Sequence, residues 1–400
     1  MRKLEVLSPA GDMDRLITAV RYGADAVYLA GTAFGMRAAA GNFSDDQLRE
    51  AVRFAHSNAV RVYVTCNTVP NETEIPQLPA FIELLADAGA DGVIVTDIGV
   101  MAMCRRYAPD VDIHVSTQAG VMNSATANAF YDLGARRAVL AREMSLADIG
   151  KLRSEIPADM EIEAFCHGAM CVSFSGRCLL SNYMAGRDAN RGECAQPCRW
   201  RYYLVEEKRP GEYMQISEDN GTFIFNSRDM CMIDHVRQMY DAGISSIKIE
   251  GRTKSSYYVA SVTAAYRHAA DAAQEGRELE QVWRDEVYKV SHREYSTGFY
   301  FGEPGQYTKD SEYHSTFDVM AVVDSCDKDG NAVLHQRNRF FPGEDVELLM
   351  PGSVPVTFQV PEMTDSEGLP VEAARHADME LHMKLPVTAP EGSFLRKRRE

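Results

Sequence analysis

The run DAGADGVIVTD, residues 87–97, contains the repeating unit of the fold. A helical pattern stops on Gly89, Gly92–Thr96 is a short β-rich run, and Asp97 stands where the next amphipathic stretch begins. Outward from it, the same unit recurs on both sides. The sequence predicts strands near Leu4–Leu7, Ala26–Leu29, Arg61–Thr65, Gly92–Thr96, Asp112–Val115, Arg137–Leu140, Glu161–Phe165 and Ser246–Ile249. Most are brief runs of Val, Ile, Tyr and Phe, as strands buried on both faces require. Helix starts are legible between them. Ser44-Asp45-Asp46-Gln47 is a capping-box pattern, and Ser145 heads SLADIGKLRSE. DLGARR and DAGISS end helices on glycine as DAGADG does. Eight such strands predict an α/β fold, a TIM-like (β/α)8 barrel whose chemistry lies at the C-terminal ends of its strands.

The barrel is expected over 1–275, with a cysteine-rich insertion after strand seven at about 166–231. A connector is expected over 276–313. From about His314 the pattern becomes short alternating runs with turns such as KDGN and FPGE, which predicts a small all-β, barrel-like module over 314–390. Residues 391–400 are expected as a basic tail, with Arg396-Lys397-Arg398-Arg399 read as a solvated end.

Of 400 residues, 45% are apolar and 25% charged, the composition of a globular protein with ample core. The N-terminal MRKLEVLSPAGD lacks a signal-peptide pattern, and no apolar run approaches a membrane span. The expectation is a cytoplasmic protein, without membrane association, in a reducing compartment where structural disulfides are rare. Nine cysteines, an odd number, agree with that. A net charge of −16 argues against indiscriminate nucleic-acid binding, while Arg177, Arg187, Arg191, Arg199 and Arg201 form a local basic run.

That run lies in the cysteine stretch, spaced Cys171-x6-Cys178-x15-Cys194-x3-Cys198. Cys166 is placed at the end of strand seven, and Cys231 at the start of a helix, where a thiolate is favoured. A structural zinc needs two close ligand pairs, and only Cys194-x3-Cys198 has that spacing. A cysteine nucleophile could pair Cys171 with His167, but no third group is evident and the other clustered thiols stay unexplained. An iron–sulfur cluster tolerates looser spacing and remote ligands such as Cys231, and Gly168, Gly176 and Gly192 would let the backbone approach it. Spacing therefore favours the cluster and leaves zinc open. Cys66, Cys104 and Cys326 read as core residues.

The segment EAFCHGAMCVSFSGRCLLS, Glu163 to Ser181, resembles the signature of the U32 family: E-x-F, G-[SA]-hydrophobic-C, G-x-C and a later Ser. LSPAGD, RGECAQPCRW, NSRDMCMID and IKIEGR are similar to the family as well, so the resemblance spans roughly residues 4–305. QRNRFFPGEDVELLMP resembles the C-terminal domain of one branch. The family carries an old label as collagenase-like peptidases, whereas better-defined members are oxygen-independent hydroxylation proteins. The resemblance implies a 4Fe-4S cluster on Cys171, Cys178, Cys194 and Cys231, with Cys198 as the rival for one place. For this branch it implies 5-hydroxylation of the wobble uridine of tRNA. The partners would be the tRNA anticodon region, prephenate as oxygen source and an unidentified electron donor. Prephenate's two carboxylates call for planar basic groups, and Arg142, Arg252, Lys254 and Arg177 are the candidates. Each could instead be a surface ion pair, with Glu143 and Glu250 nearby. His167 and Glu250 are the candidates to move protons. The alternatives are a peptidase and a zinc-stabilised RNA-binding or scaffold protein.

Overall fold

In the computed structural model, residues 3–36, 41–171, 173, 178–200, 204–205, 211, 213–214, 227–305 and 313–399 are described. Seven parallel strands follow in order: β1 (Glu5–Pro9), β2 (Ala26–Ala30), β3 (Arg61–Cys66), β4 (Gly92–Val95), β5 (Asp112–Val115), β6 (Ala135–Val139) and β7 (Glu161–Ala169). The closing strand, Ser246–Ile249, pairs in parallel with both β7 and β1, so the barrel is complete. The TIM-like reading holds, and most predicted strands lie within two residues of the observed ones.

Alternation explains why these short runs close into a barrel. Val6, Val27, Val62, Val93, Ile162 and Ile247 face the helices and form the main core. Leu7, Ala26, Tyr28, Tyr63 and Ile94 form a separate apolar cluster inside the barrel. The quoted run behaves as read: helix Leu78–Ala88 ends at Gly89 with φ +79°, and the Asp97 side chain accepts from the backbone of Gly99 and Val100. The Ser44–Gln47 capping box also forms. The long helix Ser256–Glu275 lies against β1, where Ser8 Oγ and Thr263 Oγ1 meet at 2.7 Å.

Strand β7 runs four residues further than expected. Phe165 pairs with Lys248, but the next residue of the closing strand, Ile249, pairs with His167, so Cys166 is the extra residue of a β-bulge. Beyond the bulge β7 changes partner and pairs antiparallel with Asp229–Cys231. The cysteine insertion thus leaves along the end of β7 and returns beside it. Cys166 lies within the strand, and Cys231 ends a strand, ahead of the turn Ile233–His235, instead of opening a helix.

The C-terminal module is one antiparallel eight-stranded sheet over its own core, with no closing pair among the described residues. The supposed solvated tail is part of it. Phe394–Arg398 is an interior strand, paired with Phe317–Cys326 on one side and Asp345–Met350 on the other. Alternation again gives the reason, since Leu395 enters the module core while Arg396 faces the barrel. Fully buried, Arg396 bonds Glu286 at 2.8 Å and Glu347 at 2.7 Å. Tyr22 adds bonds of 3.1 Å to the carbonyls of Leu349 and Gly392. The module is therefore seated on the barrel by buried polar contacts. Among the described residues, no helix is long and apolar enough to cross a membrane.

Candidate active site at the barrel mouth

The barrel interior carries charge. Glu5, Glu163 and Lys248 project inward because their strand neighbours are apolar and face the helices, and Arg137 projects inward because Arg136 and Ala138 take the opposite face. Arg137 bonds Glu5 at 2.7 Å, Glu163 at 3.0 Å and Glu161 through Nε at 2.9 Å. Lys248 Nζ reaches the other oxygen of Glu163 at 2.7 Å. Tyr63 and Ser246 donate to Glu5 at 2.8 and 2.7 Å. Arg137, Glu163, Glu5 and Lys248 are all buried, so each depends on its partners to offset lost hydration. Burial lowers the Lys248 amine from its ordinary value, and Glu163 works against that shift. His114, beside Tyr63, is held well below its usual value by burial and the nearby cations, so it is neutral at physiological pH.

Above this layer Lys248 Nζ lies 4.4 Å from the centre of the Tyr28 ring and 5.5 Å from that of Phe165. The Arg142 guanidinium covers Phe165 at 3.8 Å and donates to the Ala169 carbonyl at 2.8 Å. Arg252 is only 4% exposed, with Thr65 buried nearby at the end of β3. Arg142 and Arg252 are thus mouth residues, as their strand-end positions predicted. Lys254 lies further out, 4.2 Å above the Tyr313 ring and 3.3 Å from the Ser291 carbonyl. Arg177 lies outside the described residues.

His167 is the residue that the bulge displaces. Simple alternation from Glu163 and Phe165 points it into the barrel, yet it pairs with outward-facing Ile249 and packs among Tyr258, Tyr266 and Tyr295. Its ring nitrogens lie 3.3 and 3.4 Å from the Tyr266 and Tyr295 hydroxyls. Burial, with His292 and Lys254 adding to it, pushes its pKa down to about 3. Glu250 follows the closing strand, and its backbone N–H donates to the His167 carbonyl at 2.9 Å. Gly168 has φ +106°, and a Cβ there would come within 2.7 Å of the Glu250 carbonyl. Its glycine serves this strand seam.

All nine cysteines are free thiols. Cys171 and Cys194 are exposed, and Cys178 and Cys198 half-buried. Burial raises the Cys198 pKa, Arg199 draws it back, and Cys171, Cys194 and Cys178 raise it again, which sets these four thiols in one neighbourhood. Cys231 pairs across the strands with His167, four residues before Cys171, a span of at most about 13 Å at ~3.3 Å per residue. Its sulfur lies 3.9 Å from the Tyr266 hydroxyl, and burial pushes its pKa up to about 12. Among the described residues no three His, Cys, Asp or Glu side chains converge tightly enough to hold a single metal ion. The donor set itself, several free thiols in the insertion that leaves the end of β7, suits an iron–sulfur cluster or a zinc.

Sequence reasoning missed the Lys248–Glu163–Arg137 layer, although a signal was present. A lysine between two isoleucines in SIKI and a glutamate between Ile162 and Ala164 in EIEA must face the interior once the neighbours face the helices. It named Arg199 but missed Tyr313 and Arg293 beside it, where Arg199 donates to the Tyr313 hydroxyl at 3.1 Å and buried Arg293 lies 4.8 Å from the same ring.

Residues 11–310 match the model of peptidase family U32, and residues 315–396 match the peptidase family U32 C-terminal domain. The chain is 36% identical over 403 residues to tRNA hydroxylation protein P1 of Bacillus subtilis, covering 99% of this chain and 95% of that one. Against tRNA hydroxylation protein P of Escherichia coli the identity is 33% over 416 residues, 93% of this chain and 92% of that one. A protein named collagenase, from Porphyromonas gingivalis, is 32% identical over 312 residues, 75% of this chain and 74% of that one.

Proposed function

The chain belongs to peptidase family U32, and from that premise we propose that it hydroxylates RNA, specifically C5 of the wobble uridine of tRNA. The observation that carries this reading is the end-to-end match, C-terminal module included, with relatives named for tRNA hydroxylation. The finer terms are an oxygen-independent reaction, prephenate as oxygen source, an external electron donor and a cytoplasmic setting.

A 4Fe-4S cluster would supply one-electron chemistry when bound. Cys171, Cys178 and Cys194 would give three of its thiolates. Two thiols compete for the fourth place: Cys198, which neighbours the other three, and Cys231, which the family pattern implies. The remaining tasks fall to the chain's own side chains. Arg142 and Arg252 are positioned to bind carboxylates at the mouth, with the Lys248 ammonium adding positive potential from beneath. Glu250 is the proton carrier we favour over His167, whose buried neutral ring argues for packing.

The relative named collagenase supports a second reading, a peptidase. Against it stands the separation of the only Cys–His pair that sequence suggested. Cys171 is exposed, while both ring nitrogens of buried His167 face tyrosine hydroxyls. Anaerobic purification followed by iron, sulfide and zinc analysis tests the proposal. About four irons and four sulfides per chain support it. Stoichiometric zinc without sulfide refutes it.

A further inference from the structure

We propose that the rim beside the thiols is a binding surface for an unpaired stretch of RNA, with Tyr183 and Trp200 stacking bases and Arg199 and Lys254 holding the backbone. The inference rests on the RNA reading and adds where, and in what form, the RNA binds.

The first observation is apolar. Twelve large hydrophobic side chains stand exposed among the described residues, and four of them, Leu179, Tyr183, Met184 and Trp200, fall within residues 179–200. Tyr183 is 83% exposed, on the short helix Leu180–Ala185, and Trp200 is 41% exposed. The two belong to one packed unit, since Ala195 donates its N–H to Ser181 Oγ at 3.0 Å and Pro197 is buried between them in sequence. An exposed cluster of this kind marks an interaction site. It also carries the thiols, with Leu179 following Cys178 and Trp200 two residues beyond Cys198.

The second observation is charge. Arg199, adjacent to Trp200, donates to the Tyr313 hydroxyl at 3.1 Å, while Lys254 and Arg293 lie 4.2 and 4.8 Å from the centre of the same ring. Two partly exposed cations around one exposed tyrosine, with Arg293 buried behind them, are a local reversal of sign in a chain of net charge −16. A polyanion complements that positive charge, and aromatic faces next to it select one whose bases are unstacked. Single-stranded RNA offers both, whereas duplex RNA hides its base faces.

The two tryptophans make the test direct. Trp283 is 1% exposed and stacked on His268 at 3.8 Å, so a change of tryptophan emission on adding RNA reports Trp200. The anaerobically purified protein is titrated with a fluorescein-labelled anticodon stem-loop RNA and with a fully paired duplex of equal length. The stem-loop is expected to quench tryptophan emission and to bind more tightly than the duplex. Trp200→Phe should lose the quenching yet keep most of the affinity. Tyr183→Ala or Trp200→Ala should weaken binding roughly fivefold to a hundredfold, the range of one lost base stack. Lys254→Gln should flatten the slope of log affinity against log salt by about 0.7. If anisotropy shows the stem-loop bound while emission stays unchanged and the alanine variants bind like the parent, the stacking surface is wrong and the RNA reading survives. Equal affinity for the duplex overturns selection of unpaired RNA. No binding by anisotropy at low salt sinks the RNA reading itself.

Discussion

Glu163, the first fixed position of the cysteine signature, holds together the charged layer under the mouth, and removing only its charge should be costly. In Glu163→Gln the side chain keeps its shape and an acceptor for Lys248 Nζ. Arg137 keeps Glu5 and Glu161 as partners. The loss therefore falls on Lys248, whose ammonium is buried with Glu163 at 2.7 Å. Stripping one partner from a buried pair costs about 3–5 kcal/mol, and the retained acceptor argues for the lower end. For a barrel of this size that corresponds to a fall in Tm on the order of 10 °C. Without Glu163 the Lys248 pKa drops further below its unfolded value, so the unfolded chain binds the extra proton. Stability then rises with pH, and the deficit should shrink between pH 7 and 9. The double variant Glu163→Gln, Lys248→Met removes the stranded charge and should recover about 2 kcal/mol. Urea unfolding monitored by circular dichroism at both pH values measures each quantity. A deficit under about 1 kcal/mol, or a double variant no more stable than the single one, would refute the reasoning.

Three further outcomes are expected. Iron analysis of Cys198→Ala and Cys231→Ala should show loss in one of them and identify the fourth ligand, whereas full retention in both contradicts a four-thiolate cluster drawn from either; Cys104→Ala, in the barrel core, should keep its iron. Arg396→Ala strips buried Glu286 of its main partner and leaves only Lys289 Nζ at 3.5 Å, so it should cost about 3 kcal/mol and expose the module–barrel interface to proteolysis, and a variant as resistant as the parent would show that this contact does not seat the module. His167 is neutral at physiological pH, with a folded pKa of about 3 below its unfolded value, so acidification from about pH 6.5 toward 3 should erode stability more in the parent than in His167→Gln, by up to ~1.4 kcal/mol per pH unit. Identical pH profiles of unfolding would count against that burial.

The barrel was legible because its strands are short β-rich runs punctuated by caps, and Gly89, Asp97 and Ser44 behave as their chemistry requires. What escaped was decided by contacts distant in sequence. The bulge at Cys166 arises from how β7 meets the closing strand, so no local pattern says that His167 turns outward while Phe165 stays in. Arg396-Lys397-Arg398-Arg399 looks solvated because it is basic, but Leu395 and Arg396 alternate between a core and two carboxylates 110 and 49 residues away. At the site, Arg142 and Arg252 followed from topology, since strand ends face the mouth. Lys254 and Arg199 were named as well, but their meeting was not legible, because Tyr313, which gathers them, comes from the connector. The cysteine spacing announced a thiol site, and its family resemblance to a hydroxylation protein supplied a chemistry that spacing alone left shared with zinc.

The most direct test of the central claim is the nucleoside composition of tRNA from cells lacking this gene and any other member of the family, complemented with the parent or with Cys178→Ala. The account predicts that 5-hydroxyuridine at the wobble position disappears in the deletion, returns with the parent protein and stays absent with Cys178→Ala. Full 5-hydroxyuridine in the uncomplemented deletion would contradict it.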